Sequence, residues 1–358
     1  MTQQDRTGPA LHGWLIIDKP VGPGSTDIVS AAKRALRAGG YAKVKVGHGG
    51  TLDPLASGVL PVALGEATKL SGRMLDADKA YAFTIRFGEE TDTLDLEGKV
   101  VATSEVRPTP AALEAVLPRF TGPIDQVPPA YSALKVDGQR AYDLARAGEE
   151  VVLASRRVTI HSLVVDPTFD QSAPLSDHPR PLSRHPHEGR DPSPDLPGSR
   201  SGEEMGPCLR RGDDGDQGDE ESTALHEATL VAVVSKGTYI RSLARDIARA
   251  LGSVGHVTML RRLKAGPFTL AQAISLDSLT ELGQGRTLEQ ALLPLAAGLD
   301  DIPALPVTPD QAGALRQGRQ VIGIAATPGP YLATDMSVPV ALVEADGMGI
   351  RVVRGFNL

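Results

Sequence analysis

The chain has 358 residues, 41% of them hydrophobic and 23% charged, and a net charge of -7; this is ample for a sizeable core and suggests two or three domains. No apolar run approaches the roughly 20 residues that span a bilayer, which excludes a helical membrane protein, and the polar stretch Met1 to His12 has no signal core, so a cytoplasmic location is expected. The single cysteine, Cys208, excludes an internal disulfide and fits a reducing compartment.

The acidic total is unevenly spread. Residues 170–227 hold fourteen Asp or Glu against six Arg, so the rest of the chain stands at about +1. A near-neutral body can carry a basic face for nucleic acid.

Gly13 to Lys19 reads as a short buried strand that ends in a charged turn at Pro20, with Val21 to Ser25 as a loop. A helix follows, capped by Thr26 or Asp27. Its apolar face is Ile28, Val29, Ala32, Ala35 and Leu36, and Gly39-Gly40 stops it. Lys33, Arg34, Arg37, Lys43 and Lys45 make either a basic approach to the next segment or a solvated helix face.

That segment, Gly47 to Gly58, is the densest in glycine and carries one acid, Asp53, followed by Pro54. Glycines let a backbone approach a ligand closely, and the proline restricts the residue before it to extended conformations. Asp-Pro is equally a common helix start, with the carboxylate as cap. The two readings are compatible, with Asp53 at a helix start and exposed by the glycines.

Lys79 to Gly88 alternates as a strand, with Tyr81, Phe83, Ile85 and Phe87 on one face. Thr91 to Gly98 is a turn-rich acidic loop, and Thr109 to Leu117 a helix that begins Thr-Pro. Gln126 to Lys135 leads into a hairpin-like turn at Val136-Asp137-Gly138, then a short helix from Ala141 to Ala147 and strand material from Val151 to Val165. Residues 170–227 are rich in Pro, Gly, Ser and charge, and cannot bury enough surface to offset the entropy of ordering; a disordered, dispensable insert between paired strands is expected. Ala228 to Val234 is a strand. In the helix beyond it Ile240, Leu243, Ala244, Ile247, Ala248 and Leu251 form the apolar stripe, with Arg241, Arg245 and Arg249 as a ridge beside it. Gly255 to Leu263 is a strand whose alternation sends Arg261 and Arg262 to opposite faces, so that at most one points at a site. A Pro-rich linker near Asp300 to Pro309 precedes a small, mostly β domain.

Eight stretches together resemble the bacterial TruB family of tRNA pseudouridine synthases: Gly13 to Gly22, Gly47 to Gly58, Leu64 to Lys69, Asp78 to Tyr81, Thr91 to Asp95, Pro128 to Lys135, Ser235 to Arg241 and Gly255 to Leu263. The resemblance implies an α+β fold: a catalytic core over residues 1–300 with a mixed, mostly antiparallel sheet and an RNA-binding cleft, then a PUA-like β domain at 301–358. It implies isomerisation of the uridine at position 55, in the T-loop of tRNA, without cofactor or metal. Asp53 matches the nucleophile, Tyr81 the tyrosine stacked on the target base, and Arg241 the arginine paired with the carboxylate. Tyr239 and Leu260 match pocket residues, His48 a histidine near the flipped nucleotide, Asp95 an aspartate lining the site, and Lys19 a substrate-binding lysine. A monomer with no obligatory protein partner and no membrane attachment is implied. Gly49 and Ala80 depart from the family, where Thr and a charged side chain are usual, and the acidic insert is foreign to the pattern.

Two other readings share these residues. One is an RNA-binding or RNA-folding protein acting on tRNA without needed catalysis; the other is a guide-dependent relative acting on ribosomal RNA. A phosphate-binding loop of NTPase type would need a Gly-Lys-Ser/Thr that does not follow at the required spacing.

Overall fold

The apolar run Trp14–Ile17 forms strand β1 (Gly13–Lys19), which pairs antiparallel with β3 (Ala56–Leu64) from Gly13 opposite Leu64 to Lys19 opposite Gly58. Between them run helix α1 (Ser25–Ala38) and strand β2 (Val46–His48), which pairs with the far end of β3. Then follow α2 (Ser71–Asp76), β4 (Lys79–Phe87), β5 (Glu89–Thr91), β6 (Val100–Thr103), α3 (Pro110–Val116), β7 (Gly122–Gln126) and the small pair β8 (Lys135–Val136) and β9 (Gln139–Arg140). Strands β10 (Arg156–Val165) and β11 (Glu227–Val234), helix α4 (Ile240–Ala250), strands β12 (Gly255–Ala265) and β13 (Phe268–Thr269), and helix α5 (Leu276–Gly285) complete the core. This computed structural model describes residues 8–132, 134–136, 139–142, 147, 153–169 and 224–358. The described residues all belong to one of the two units into which the chain divides; the other, Pro179–Thr223, lies outside them.

The main sheet runs β1-β3-β12-β4-β11-β10-β7, with β2 beside β3 and β13 beside β12. Its ladders are antiparallel except β3–β12, where Ala56 faces Leu260 and Gly58 faces Arg262. That crossing requires glycine: Gly58 sits at φ +103°, and a Cβ there would lie 2.2 Å from the Arg262 carbonyl oxygen. The sheet is therefore mixed and mostly antiparallel, as expected from the resemblance.

Two hydrophobic clusters cover different parts of the sheet. One joins Phe83, Ile85 and Leu230 to α4 through Leu243 and Ile247; the other joins Leu15, Leu60 and Val62 to α1 through Ile28 and Ala32. Tyr81 and Leu260 touch both without being fully buried. They stand where the two covered regions meet.

A third cluster holds Trp14, Val59, Ala63 and Phe268 against Leu332, Leu342 and Phe356 near the C-terminus. Trp14 is fully buried and donates its Nε1–H to the Leu295 carbonyl at 3.1 Å. The C-terminal sheet runs β14-β16-β17-β18-β15, from β14 (Ala304–Pro306), β15 (Val321–Ile322), β16 (Gly329–Asp335), β17 (Val338–Ala345) and β18 (Gly349–Gly355), with helix α6 (Pro309–Arg316) packed on it. The expected Pro-rich linker is thus partly strand: Ala304 to Pro306 pairs with Leu332 to Thr334.

Three local expectations change. The chain after Asp53 does not start a helix; the Ala56 N–H donates to the Asp53 carbonyl at 3.1 Å, closing a turn with Pro54 in its second position, and β3 begins at once. Helix α1 starts at Ser25, earlier than Thr26 or Asp27 as caps would allow, because Asp27 sits in the first turn and its Oδ2 accepts the Gly24 N–H at 2.9 Å. Regular chain resumes before Glu227, since the Leu225 N–H bonds the Pro108 carbonyl at 2.8 Å. The rest of the 170–227 insert, the Asp137-Gly138 turn and most of the Ala141–Ala147 helix lie outside the described residues.

Candidate active site

Strand registers bring distant segments into one row. Ala56 faces Leu260 across β3–β12, Leu260 faces Phe83 and Arg262 faces Tyr81 across β12–β4, and Tyr81 faces Ala232 across β4–β11. Asp53 therefore hangs just before β3, beside Leu260 and Tyr81, while β11 delivers Tyr239 and Arg241 to the same end of the sheet.

Arg241, one residue into α4, is the hub. Its Nη2 lies 2.9 Å from Asp53 Oδ2 and its Nη1 3.1 Å from Asp95 Oδ2. The same guanidinium donates to the carbonyls of Thr93 at 2.9 Å and Tyr131 at 3.0 Å. Asp95 is fixed in turn by the Thr93 hydroxyl and by the Glu97 N–H at 3.1 Å. The side chains of Arg241 and Asp95 are 9% and 11% exposed, that of Asp53 45%. One carboxylate anchors the arginine internally and the other faces outward.

Two buried cations hold the loop that carries Asp53. Lys19, fully buried, donates from Nζ to the carbonyls of Pro20, Pro54 and Ala56 at 2.8, 3.2 and 2.6 Å. Arg262, 1% exposed, donates to the carbonyls of Val59, Gly50 and Thr51 at 2.7, 3.2 and 3.3 Å. Burial pulls Lys19 down to about 8; the Asp53 charge opposes that shift and the Arg262 charge adds to it. Ser25 closes the clamp, its Oγ accepting from the Leu52 N–H at 2.8 Å.

Asp53, Tyr81, Tyr239, Arg241 and Leu260 line one cavity of about 190 Å³, together with Thr51, Leu52, Ala56, Ser132, Thr238 and Ile240. A second cavity of about 280 Å³ shares Asp53, Ser132 and Arg241 and adds Asp95, Tyr131 and Tyr142. Lys19 lines neither, because its ammonium is turned into the backbone under the loop. His48 ends β2 ahead of the loop, also outside both cavities; burial, then the Arg262 charge, holds its pKa below the usual imidazole value. A depression of about 770 Å³ elsewhere is lined by the ion pair Arg86–Glu227, by Glu114, by threonines and by apolar residues, and contains none of these groups.

One residue at the site, Gln126, carries no signal in the sequence. Gln126, fully buried, accepts the Tyr239 N–H at 2.8 Å and donates to its carbonyl at 3.1 Å. Both arginines of the Arg261-Arg262 pair are buried: Arg262 sits beneath the loop, and Arg261 pairs with Asp18 at 2.8 Å. The departure at Gly49 has a steric reason, since a Cβ there would lie 2.6 Å from Met74 Cβ. Ala80 is fully buried in β4, where a charged side chain would need a partner.

The family model described as TruB family pseudouridylate synthase (N terminal domain) matches residues 34–174, and that of the tRNA pseudouridylate synthase B C-terminal domain matches 241–300. A tRNA pseudouridine synthase B from Novosphingobium aromaticivorans is 57% identical over 97% of this chain and 98% of its own length; one from Zymomonas mobilis is 52% identical over the full length of both. In fold, the chain is similar to one in the structure of an H/ACA RNP bound to a substrate RNA containing 2'-deoxyuridine, with TM-score 0.60, 21% identity, and coverage of 97% of this chain and 86% of that one. These matches define an isomerase of the pseudouridine synthase class. The chain belongs to the TruB family.

Proposed function

We propose that this chain converts uridine 55 in the T-loop of tRNA to pseudouridine, with Asp53 as nucleophile acting on a flipped-out nucleotide. The observation that carries the reading is the asymmetry of the two carboxylates on Arg241: Asp95 is buried and Asp53 faces the cavity. A base in an RNA loop must leave its stack to be reached, which costs a few kcal/mol. Tyr81, Tyr239 and Leu260 offer the aromatic and apolar surface that offsets this cost. Arg241 orients the carboxylate, and a carboxylate can act as a covalent nucleophile.

Overall the C1′–N1 bond breaks, the base turns, and a C1′–C5 bond forms while C5 loses a proton and N1 ends with one. The change is redox-neutral and internal, so the reading includes neither cofactor nor metal. It also includes a cytoplasmic monomer that meets the T-arm alone, with residues 301–358 as a further RNA-contacting domain beside the catalytic domain of 1–300. His48, Asp95 and Lys19 belong to the substrate site in this reading, Lys19 through the loop it clamps.

Asp53→Asn should abolish tritium release from 5-labelled uridine in tRNA and retain tRNA binding; unchanged turnover would sink the assignment. The fold likeness to the H/ACA chain favours a second reading, a guide-dependent enzyme. Modification of a bare T-arm transcript by the purified chain would exclude it.

A further inference from the structure

Arg156, at the start of β10, is a cation at the edge of the Asp53 cavity with no counter-charge among the described residues. Its guanidinium carbon lies 5.6 Å from the ring centroid of Tyr239, which lines that cavity. Among the described residues it makes no ion pair and no hydrogen bond, although neighbouring basic groups do: Lys236 pairs with Asp76, Arg245 with Asp246 and Arg241 with both site carboxylates. The residue is half-buried, so its charge is partly desolvated.

A structural role as a prop for Tyr239 is already filled. Arg156 faces Gln126 across the β10–β7 ladder, and Gln126 holds both the N–H and the carbonyl of Tyr239. Gln126 thus fixes the backbone of Tyr239, while the Arg156 guanidinium lies over its ring. A guanidinium stacked on an aromatic face keeps its edge N–H donors free, and that edge suits a phosphate.

We propose that Arg156 binds a backbone phosphodiester of the RNA beside the uridine held in the Asp53 cavity, with Tyr239 as the shelf that aims it. This rests on the function proposed above. A flipped nucleotide brings its flanking phosphates to the mouth of the pocket, where Asp53 and Asp95 are both engaged by Arg241 and Arg156 has no carboxylate partner among the described residues.

The test measures binding of a T-arm stem-loop RNA across a series of KCl concentrations, with single-turnover pseudouridine formation at saturating RNA. Arg156→Gln should lower the slope of log affinity against log salt by about 1 and weaken binding about tenfold at low salt. The saturating single-turnover rate should stay within about twofold, and Arg156→Lys should restore most of the slope. A normal slope with a reduced single-turnover rate would overturn the proposal and make Arg156 a prop for Tyr239.

A second arm leaves the protein intact. Neutral methylphosphonate linkages placed one at a time around the target uridine should reveal one position at which wild-type binding weakens and Arg156→Gln binding does not. Equal losses for both proteins at every position would also overturn the proposal. Wild-type turnover of the same RNA is measured alongside. Its absence would refute the proposed function, whereas turnover with an unchanged slope in Arg156→Gln would refute this inference alone.

Discussion

The two aspartates that share Arg241 differ in how their loss is felt. Asp95 is the buried partner, tied to the Thr93 hydroxyl and the Glu97 N–H as well as to the guanidinium. It follows Leu94, held at φ +62° with its N–H on the Thr91 carbonyl and its own carbonyl accepting the Val257 N–H at 3.0 Å. A non-glycine residue in the left-handed region costs on the order of 1 kcal/mol, which the surrounding bonds must over-determine. Here they aim Asp95 at Arg241. Asp95→Ala removes the buried counter-charge of an arginine whose side chain is only 9% exposed and should cost about 3 kcal/mol of stability. Asp53→Ala, at a side chain 45% exposed, should change stability by less than about 1 kcal/mol. Urea unfolding of the two variants compares them directly, and equal losses would show that Asp53 is a structural member of the cluster.

At the scale of the element, the loop from Gly50 to Ala56 is held by cations rather than by a helix or a ladder. Lys19 grips its C-terminal limb and Arg262 its N-terminal limb. The Lys19 proton is lost near pH 8 in the folded chain and near 10.5 in the unfolded one. Between those values the unfolded state binds more protons, so the Lys19 contribution to stability rises with pH. Below about 8 the cost of the buried charge is felt in full. The unfolding free energy of wild type minus that of Lys19→Met should therefore increase between pH 8 and pH 10.5; a constant difference would mean that Lys19 keeps its ordinary pKa. Comparing the two proteins cancels Lys79, which burial also lowers to about 8.

The same loop shows what could be read from sequence and what could not. Strands β4 and β11 and helix α4 follow their own periodicity, and Thr109 caps α3 as Thr-Pro suggests, accepting the Ala112 N–H at 3.1 Å. Asp53-Pro54 satisfies a helix cap and a turn equally well locally. The choice is made by a distant pairing, Ala56 with Leu260, which starts β3 too soon for a helix. Alternation separates Arg261, which reaches Asp18, from Arg262, which reaches the loop carbonyls, but which of the two lies under the loop depends on the pairing of β12 with β3 and β4. Gln126 needs the whole β7–β10 ladder to reach Tyr239, so nothing near it in sequence announces the contact.

At the scale of the whole molecule, the long connection from β10 to β11 joins two strands that are already neighbours. Val165 faces Leu230 in an antiparallel ladder, and the Asp166 N–H donates to the Thr229 carbonyl at 2.9 Å, so the strands could be joined by a tight turn. Both strands sit on the side of β4 away from Asp53, and the acidic excess of the segment between them accounts for the net negative charge of the chain. The closure entropy of a loop grows only with the logarithm of its length. Shortening this connection roughly tenfold should therefore stabilise the fold by at most about 2 kcal/mol. Replacing residues 170–223 with a few Gly and Ser residues should accordingly leave kcat/KM on tRNA within about twofold and the unfolding midpoint equal or slightly higher. The charge sets a second expectation. If the acidic segment repels RNA at long range, its removal should tighten tRNA binding at low salt and have no effect at high salt, where exposed charges are screened. Loss of folding, or loss of turnover with folding intact, would instead make the segment a working part of the enzyme.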